Sequence, residues 1–263
     1  MSDTETLLAV EHLSAGYGQE LAIDDVSFTV HEHEIVVLAG ESGSGKSTVL
    51  KAVQGLLPAA KLRQGRIVFA GQDMMQMTGA DRRRIAGADI GMVFQNAGAS
   101  FCPIRRLDTQ IYEAARAHYD WSKEEFCARA RAICQRIDLP ESALAAYPLQ
   151  LSGGMGQRAG LLAAMIMQPR LLLGDEPTAA LDAVTQVDVV QELMALRREQ
   201  GTAMLIVTHH MGVAWYMADR IIIMRRGHIV ESGTREAIFE HPQQEYTREL
   251  IATVPRLQNQ KSA

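Results

Sequence analysis

The sequence predicts an α/β fold in which a core of strands and helices is interrupted by a helical insert. Short, continuous apolar segments typical of buried strands occupy Ile35–Ala39, residues 171–174 and Ala203–Val207. Between about residues 96 and 158 the strand signals stop and helical patterns dominate. Strand signals return after residue 170, so the pattern indicates an α/β core whose sequence is interrupted by the insert.

The elements predicted before the insert are strands and one helix. Val26, Phe28 and Val30 alternate with polar residues, which is the period of a half-buried strand. The buried strand Ile35–Ala39 precedes a glycine-rich loop and a predicted helix over residues 47–53. Two further strands are predicted over residues 65–69 and 90–94.

Caps and turn residues place the later elements. Ser122 and Glu125 form a capping box ahead of a predicted helix over residues 126–137. A second helix is predicted over residues 184–199, because the helical pattern ends just before Gly201. Strands over residues 221–224 and 229–231 flank a predicted hairpin turn around Gly227.

Size and charge limit the possible classes of protein. At 263 residues the chain exceeds the range of about 100–200 residues common for one domain, so one large domain with an insert and two domains are both compatible. Hydrophobic residues make up 47% of the sequence, enough for a sizeable core. A net charge of −5 argues against broad nucleic-acid binding, which depends on neutralising phosphates.

Cysteine usage and hydropathy favour a cytosolic chain. The cysteines lack metal-ligand spacing, so we expect free thiols at Cys102, Cys127 and Cys134. Residues 1–6 are polar and acidic, unlike a secretory signal. The longest uncharged apolar stretch, residues 159–169, is shorter than the ~18 residues of a transmembrane helix. We therefore expect a soluble chain that reaches a membrane only through a partner.

The segment after the buried strand matches the phosphate-loop pattern G-x-x-x-x-G-K-[ST], and it lies between a strand and a helix as that motif requires. Its glycines allow backbone N–H groups to converge on phosphates at a helix N-terminus. The lysine supplies charge to the β- and γ-phosphates of ATP, and the following hydroxyl is a ligand for Mg²⁺. The predicted ATP-binding residues are Gly40, Glu41, Ser42, Gly43, Ser44, Gly45, Lys46, Ser47 and Thr48.

A second motif indicates which family of phosphate-loop proteins the chain resembles. Residues 151–155 read LSGGM and are followed by Gln157 and Arg158, which resembles the signature of the ATP-binding-cassette (ABC) ATPases. In that family Ser152, Gly153 and Gly154 would contact the γ-phosphate of ATP held by the opposite subunit, so the resemblance implies a dimer. The physical basis is anion binding at a helix start.

The resemblance implies an ABC-type nucleotide-binding domain, with a RecA-like phosphate-loop core, an antiparallel β-subdomain and an inserted helical subdomain. We expect the core with its β-subdomain to span residues 1–95 and 159–240. The helical subdomain with the signature would span residues 96–158, and a C-terminal tail would span residues 241–263.

Further positions match the family in the same order along the chain. Asp175, after the apolar residues 171–174, matches the Mg²⁺-binding aspartate, and Glu176 matches the base that polarises the attacking water. Gln95 matches the glutamine that contacts Mg²⁺, water and the transmembrane partner, and His209 matches the switch histidine. Tyr17 is placed like the aromatic residue that stacks on adenine.

Residues 180–182 match the D-loop of the dimer interface. Two positions depart from the family pattern. His210 follows the switch histidine where aspartate is usual, and Gly156 replaces a usual basic residue. We interpret both as tolerated variation.

Two segments resemble the dipeptide, oligopeptide and nickel importer ATPases. Residues 92–103 are similar to "FQ-x-P-x-x-S-L-N-P", with replacements at Ala97, Phe101 and Cys102, and residues 241–250 are similar to "HP-x-H-P-Y-T-x-x-L". Tyr147-Pro148 and the methionine form of the signature resemble the D-type member of a heterodimer. Because no cysteine follows Cys134, we expect no iron–sulfur cluster of the kind some longer relatives carry.

This resemblance implies a set of partners: a second, F-type ATPase chain, two transmembrane permease subunits and an extracytoplasmic substrate-binding protein, with no nucleic acid. The chain would lie peripherally on the cytoplasmic face of the inner (plasma) membrane. An alternative is a soluble ABC ATPase accessory to an enzyme complex such as the carbon–phosphorus lyase, which shares the tail pattern. A DNA-repair or structural-maintenance ATPase would need long coiled-coil arms, and the insert of about 60 residues is too short.

Overall fold

The computed structural model describes residues 5–18, 20–58, 61–179 and 181–252, and within them it assigns ten strands and nine α-helices. The strands are β1 (Thr6–Tyr17), β2 (Glu20–His31), β3 (Ile35–Ala39), β4 (Leu62–Phe69), β5 (Gln72–Asp73), β6 (Ile90–Val93), β7 (Leu171–Asp175), β8 (Ala203–Val207), β9 (Arg220–Arg225) and β10 (His228–Thr234). The helices are α1 (Lys46–Val53), α2 (Gly79–Ile85), α3 (Leu107–Arg116), α4 (Lys123–Arg136), α5 (Gly153–Met165), α6 (Ala183–Gln200), α7 (Met211–Met217), α8 (Arg235–Glu240) and α9 (Glu245–Ala252).

The strands pair into two sheets in the described part of the chain. The larger sheet has the order β10-β9-β3-β8-β7-β6, in which β9, β3, β8, β7 and β6 are parallel and β10 is an antiparallel edge strand. The smaller sheet has the order β2-β1-β4-β5 and is antiparallel. Parallel strands end at one edge of their sheet, so residues after β3, β6, β7 and β8 meet there.

Strand β3 is buried on both faces. Ile35, Val37 and Ala39 pack into an apolar cluster with α3 to α7, whereas Val36 and Leu38 pack into a second cluster with α1 and the antiparallel sheet. A strand covered on both sides reads as a continuous apolar run, which is why its position is visible in the sequence.

The predicted α/β class and most core elements are confirmed. Strands β3 and β8 have the predicted bounds, and the capping box of Ser122 and Glu125 begins α4. The hairpin between β9 and β10 turns at Arg226 and Gly227, which have φ of 48° and 86°. Positive φ at both positions is the geometry of a tight two-residue turn.

Other elements were not predicted. Strand β1 contains irregular register between Val10 and Leu13, where His12 has φ of 47°, and this bulge breaks the period-two pattern. Helices α7 and α8 have seven and six residues, which is too short to display a helical period. In the described residues, no helix combines the length and apolar character needed to cross a bilayer.

Candidate functional site

The glycine-rich loop follows β3 at the carboxyl edge of the larger sheet and leads into α1. Gly40, Gly43 and Gly45 have φ of 148°, 80° and 101°, which side-chain-bearing residues rarely adopt. A Cβ on Gly40 would lie 2.1 Å from the carbonyl oxygen of Met224, and a Cβ on Gly45 would lie 2.5 Å from that of Ala22. Glycine at these two positions therefore lets the loop pack directly against neighbouring backbone.

Lys46 places a cation inside the loop. Its Nζ donates hydrogen bonds to the carbonyl oxygens of Gly40 and Glu41, at 2.8 and 2.7 Å, and to Oγ of Ser44 at 3.2 Å. Burial lowers the pKa of Lys46, although three nearby carboxylates oppose that shift. The ammonium group is thus buried among loop oxygens, next to the backbone N–H groups at the start of α1.

Ser47 connects the loop to the end of β7. Its hydroxyl donates a hydrogen bond to Oδ1 of Asp175 at 2.9 Å. The side chain of Asp175 is buried, and this burial raises its pKa, while the hydrogen bond from Ser47 acts in the opposite direction. Two oxygen atoms of the type that Mg²⁺ prefers therefore lie side by side.

Glu176 lies one residue beyond β7, and His209 lies two residues beyond the adjacent strand β8, so their side chains come into contact. Nδ1 of His209, after β8, lies 2.8 Å from Oε1 of Glu176, after β7. Glu176 has φ of 49°, and its backbone N–H donates to the carbonyl of Val207 at 2.9 Å. Positive φ at a residue with a side chain is uncommon and frequently marks functional sites. Here it turns the chain directly beyond β7, where the carboxylate meets the imidazole.

Gln95 lies on an exposed turn after β6, the strand that pairs with β7. Gln157, which lies in the signature helix α5, is buried below this turn. Its amide donates to the carbonyls of Phe94 and Pro177, both at 3.0 Å, and accepts from the N–H of Ala97 at 3.1 Å. Gln157 therefore links the signature helix to both the Gln95 turn and the segment after Glu176. The sequence marked Gln157 only as a residue that follows the signature and gave no signal for these contacts.

The start of α5 is open to solvent. The hydroxyl of Ser152 caps the helix by accepting from the N–H of Met155 at 3.3 Å, and a Cβ on Gly153 would meet no atom within 4 Å. Within the described ranges, no hydrogen bond links Ser152, Gly153 or Gly154 to the phosphate loop. The signature segment is therefore a Ser152-capped helix start that is exposed to solvent and makes no such hydrogen bond to this chain's own loop.

Gly156 and Gly160 allow α5 to approach the turn that follows Gln95. A Cβ on Gly156 would lie 3.1 Å from Cα of Gly98, and one on Gly160 would lie 2.1 Å from Cβ of Ala97. The glycine that departs from the family pattern at position 156 therefore stands at a close backbone contact.

The remaining predicted positions flank the site. Tyr17 ends β1, but its side chain lies outside the described residues, as does Ala180 of the D-loop. Asp182 caps α6 by accepting from the N–H groups of Val184 and Thr185, at 3.1 Å each. The backbone N–H of His210 donates to the Thr208 hydroxyl at 3.0 Å, and the His209–Glu176 contact is present next to it.

Comparison with known proteins matches the family model "ABC transporter" over residues 23–179. The chain is 38% identical to the peptidoglycan transport ATP-binding protein YejF of Agrobacterium fabrum, over 97% of this chain and 48% of that protein. It is 36% identical to the glutathione import ATP-binding protein GsiA of Escherichia coli K12, over 97% of this chain and 43% of that protein. The chain thus spans about half the length of these curated relatives.

A third relative has a similar length. The metal-staphylopine import system ATP-binding protein CntD of Staphylococcus aureus is 34% identical over 96% of this chain and 94% of its own. Among solved structures, the dimeric cassette MJ0796 bound to ADP and Pi superposes with a TM-score of 0.80 at 28% identity, over 87% of this chain and 98% of that one. The predicted nucleotide-binding fold of such cassettes is therefore confirmed.

Proposed function

Because the chain belongs to the ABC transporter family, we propose that it binds and hydrolyses ATP to energise an importer of peptides, nickel or metal-chelate complexes. The observation that carries the proposal is the meeting of the phosphate loop with Asp175, Glu176 and His209 at one edge of the sheet. The names of the relatives refer to peptidoglycan transport and to glutathione and metal-staphylopine import, and they support the peptide and metal-chelate classes.

ATP would place its phosphates in the loop of residues 40–48, where Lys46 and the backbone N–H groups supply positive charge. The 2.9 Å contact between the hydroxyl of Ser47 and the carboxylate of Asp175 fits a Mg²⁺ site, with Gln95 as a further oxygen ligand. The described residues contain no cluster of three or more His, Cys, Asp or Glu arranged for a metal ion. Phosphate oxygens and water would therefore complete the coordination. When bound, the ion would neutralise charge on the phosphates.

Glu176 would accept the proton of the attacking water. General-base catalysis of this kind contributes typically ~10²–10⁴-fold in rate. His209 contacts one carboxylate oxygen of Glu176 through Nδ1, so it would orient the carboxylate, and its other ring nitrogen would contact the γ-phosphate. Tyr17 would stack on adenine.

A second ATPase chain, related to the F-type subunits, would complete the site. The start of α5 supports this, because Ser152 and Gly153 are exposed and, with Gly154, make no hydrogen bond to the phosphate loop within the described ranges. Val184 and Val187 at the start of α6 are 73% and 54% exposed, which suits a surface covered by another subunit. The pair would bind two ATP molecules in composite sites.

The core would comprise residues 1–95 and 159–240, the helical subdomain residues 96–158 and the tail residues 241–263, with the boundary at 158 lying inside α5. We propose that the Gln95 turn and the helical subdomain contact two permease subunits. An extracytoplasmic substrate-binding protein would deliver the substrate to these permeases. The chain would then lie peripherally on the cytoplasmic face of the inner membrane, without nucleic acid.

Purification of the tagged chain from detergent-solubilised membranes of its own host tests this proposal. We expect two permeases and a second ATPase chain to be recovered together, and the complex to hydrolyse MgATP. Lys46→Ala should weaken nucleotide binding in the same complex. Recovery only in a soluble assembly with enzyme subunits would contradict the importer and favour an accessory ATPase.

A further inference from the structure

The C-terminal helix α9 contacts the phosphate loop. The hydroxyl of Tyr246, in the first turn of α9, accepts a hydrogen bond from the backbone N–H of Glu41 at 2.9 Å. Tyr246 is only 8% exposed. The hydrogen bond is partly buried, and backbone N–H groups that are shielded from water in folded proteins are nearly always paired. The tail therefore satisfies a donor in the second residue of the loop.

The hairpin between β9 and β10 supports the same contact. The guanidinium carbon of Arg225 lies 4.5 Å from the centre of the Tyr246 ring, and its Nε lies 4.0 Å from Oε1 of Glu41. The N–H of Gly227 donates to the carbonyl of Ser44 at 3.1 Å. The outer side of the loop is thus held at Glu41 by the tail and at Ser44 by the hairpin.

Glu231 of β10 fixes the tail in this position. Its carboxylate accepts hydrogen bonds from the backbone N–H groups of Gln243 and Gln244, at 2.7 and 3.1 Å. Burial by itself would raise the pKa of Glu231, but hydrogen bonds from the tail outweigh it and lower the pKa. An ionised carboxylate ahead of a helix N-terminus also interacts favourably with the helix dipole. The segment before α9 is therefore anchored independently of the loop.

We propose that Tyr246 is a positioning residue of the ATP site and that residues 241–252 hold the phosphate loop in the conformation that receives ATP. This inference rests on the proposed binding of ATP at residues 40–48. Without the Tyr246 hydroxyl, the loop would occupy other conformations for part of the time. The apparent Kd for ATP would then equal the intrinsic Kd divided by the fraction of molecules whose loop is in the competent conformation. Since Tyr246 supplies no group to the water or the γ-phosphate, KM should change while kcat stays near the parental value.

Equilibrium binding of radiolabelled MgATP to the chain of residues 1–263 tests the inference with Tyr246→Phe. Loss of one neutral hydrogen bond should raise the Kd about two- to tenfold. Tyr119→Phe is the matched control, because the Tyr119 hydroxyl donates to the carbonyl of Met167 at 3.0 Å, in another part of the fold. It removes a similar hydrogen bond and should keep the parental Kd. Glu231→Ala, which detaches the tail without touching the loop, should raise the Kd in the same direction as Tyr246→Phe.

A parental Kd in Tyr246→Phe would overturn the inference, and so would an equal rise in Tyr119→Phe, because the effect would then be global. A parental chain that fails to bind MgATP would instead refute the proposed function, and the inference would fall with it. A third result distinguishes the two failures. If the parental chain binds MgATP, Lys46→Ala weakens that binding and Tyr246→Phe keeps the parental Kd, the proposed ATP site would stand and only the positioning role of Tyr246 would be wrong.

Discussion

The hydroxyl of Ser47 lies 2.9 Å from Oδ1 of Asp175, a contact that joins residues 128 positions apart. If both are Mg²⁺ ligands, Ser47→Ala should raise the Mg²⁺ concentration for half-maximal ATP binding about tenfold or more, because a hydrogen-bonded oxygen ligand is lost. Titration of Mg²⁺ at fixed ATP measures this. Ser14→Ala removes a similar bond to Asp24, at 3.2 Å in the antiparallel sheet, and should leave the titration unchanged. An equal response of the two variants would refute the metal assignment.

Gln157 should be necessary for the stability of the junction between the signature helix and the Gln95 turn. Gln157→Leu keeps the volume but leaves the carbonyls of Phe94 and Pro177 and the N–H of Ala97 without their partner. We expect the free energy of unfolding to fall by about 2–4 kcal/mol. Urea denaturation measures this free energy of unfolding. The control is Gln191→Leu at an exposed position, which should change the free energy of unfolding by less than about 0.5 kcal/mol. Equal stability of both variants would show that this network contributes little.

Close packing of α5 against the Gln95 turn predicts that position 160 requires glycine. In Gly160→Ala the new Cβ would lie 2.1 Å from Cβ of Ala97, so the helix or the turn must shift, at a cost of about 1–3 kcal/mol. Gly212→Ala in α7, where a Cβ would meet no atom within 4 Å, should keep or raise stability because alanine favours helix. Thermal unfolding compares them, and a melting temperature of Gly160→Ala equal to that of Gly212→Ala would contradict the packing.

The cysteines should differ in reactivity. Burial raises the pKa of the Cys134 thiol to about 11, whereas Cys102 is exposed. Because the thiolate is the reactive form, a thiol reagent at pH 8 should modify Cys102 in the native chain and Cys134 only after unfolding. Mass spectrometry of labelled peptides over time checks this. Labelling of native Cys134 as fast as Cys102 would show that its surroundings open readily.

Features encoded in short segments were predictable from the sequence. The phosphate loop, β3 and the capping box of Ser122 each depend on neighbouring residues, and the structure has the elements where they were expected. Strand β1 was not predictable, because the bulge at His12 disrupts its alternation. The subdomain boundaries and the roles of the site residues stay predictions.

Contacts between segments that are distant along the chain could not be predicted from the sequence. Tyr246 meets Glu41 across 205 positions, and Gln157 meets Ala97 across 60. Neither side chain belongs to a local pattern that specifies its partner, since both contacts depend on how the sheet edge, the hairpin and α5 come together. The tail resemblance marked a segment that includes Tyr246 but gave no indication that it would contact the phosphate loop.

Turnover and nucleotide retention in Glu176→Gln decide whether the chain is an ATPase with Glu176 as its base. Glutamine keeps an oxygen near Nδ1 of His209, which lies 2.8 Å from Oε1 of Glu176, but it cannot take the proton of the attacking water. We predict that the variant complex retains ATP in a closed dimer while hydrolysis falls by ~10²–10⁴-fold. Hydrolysis at the parental rate would contradict the assignment.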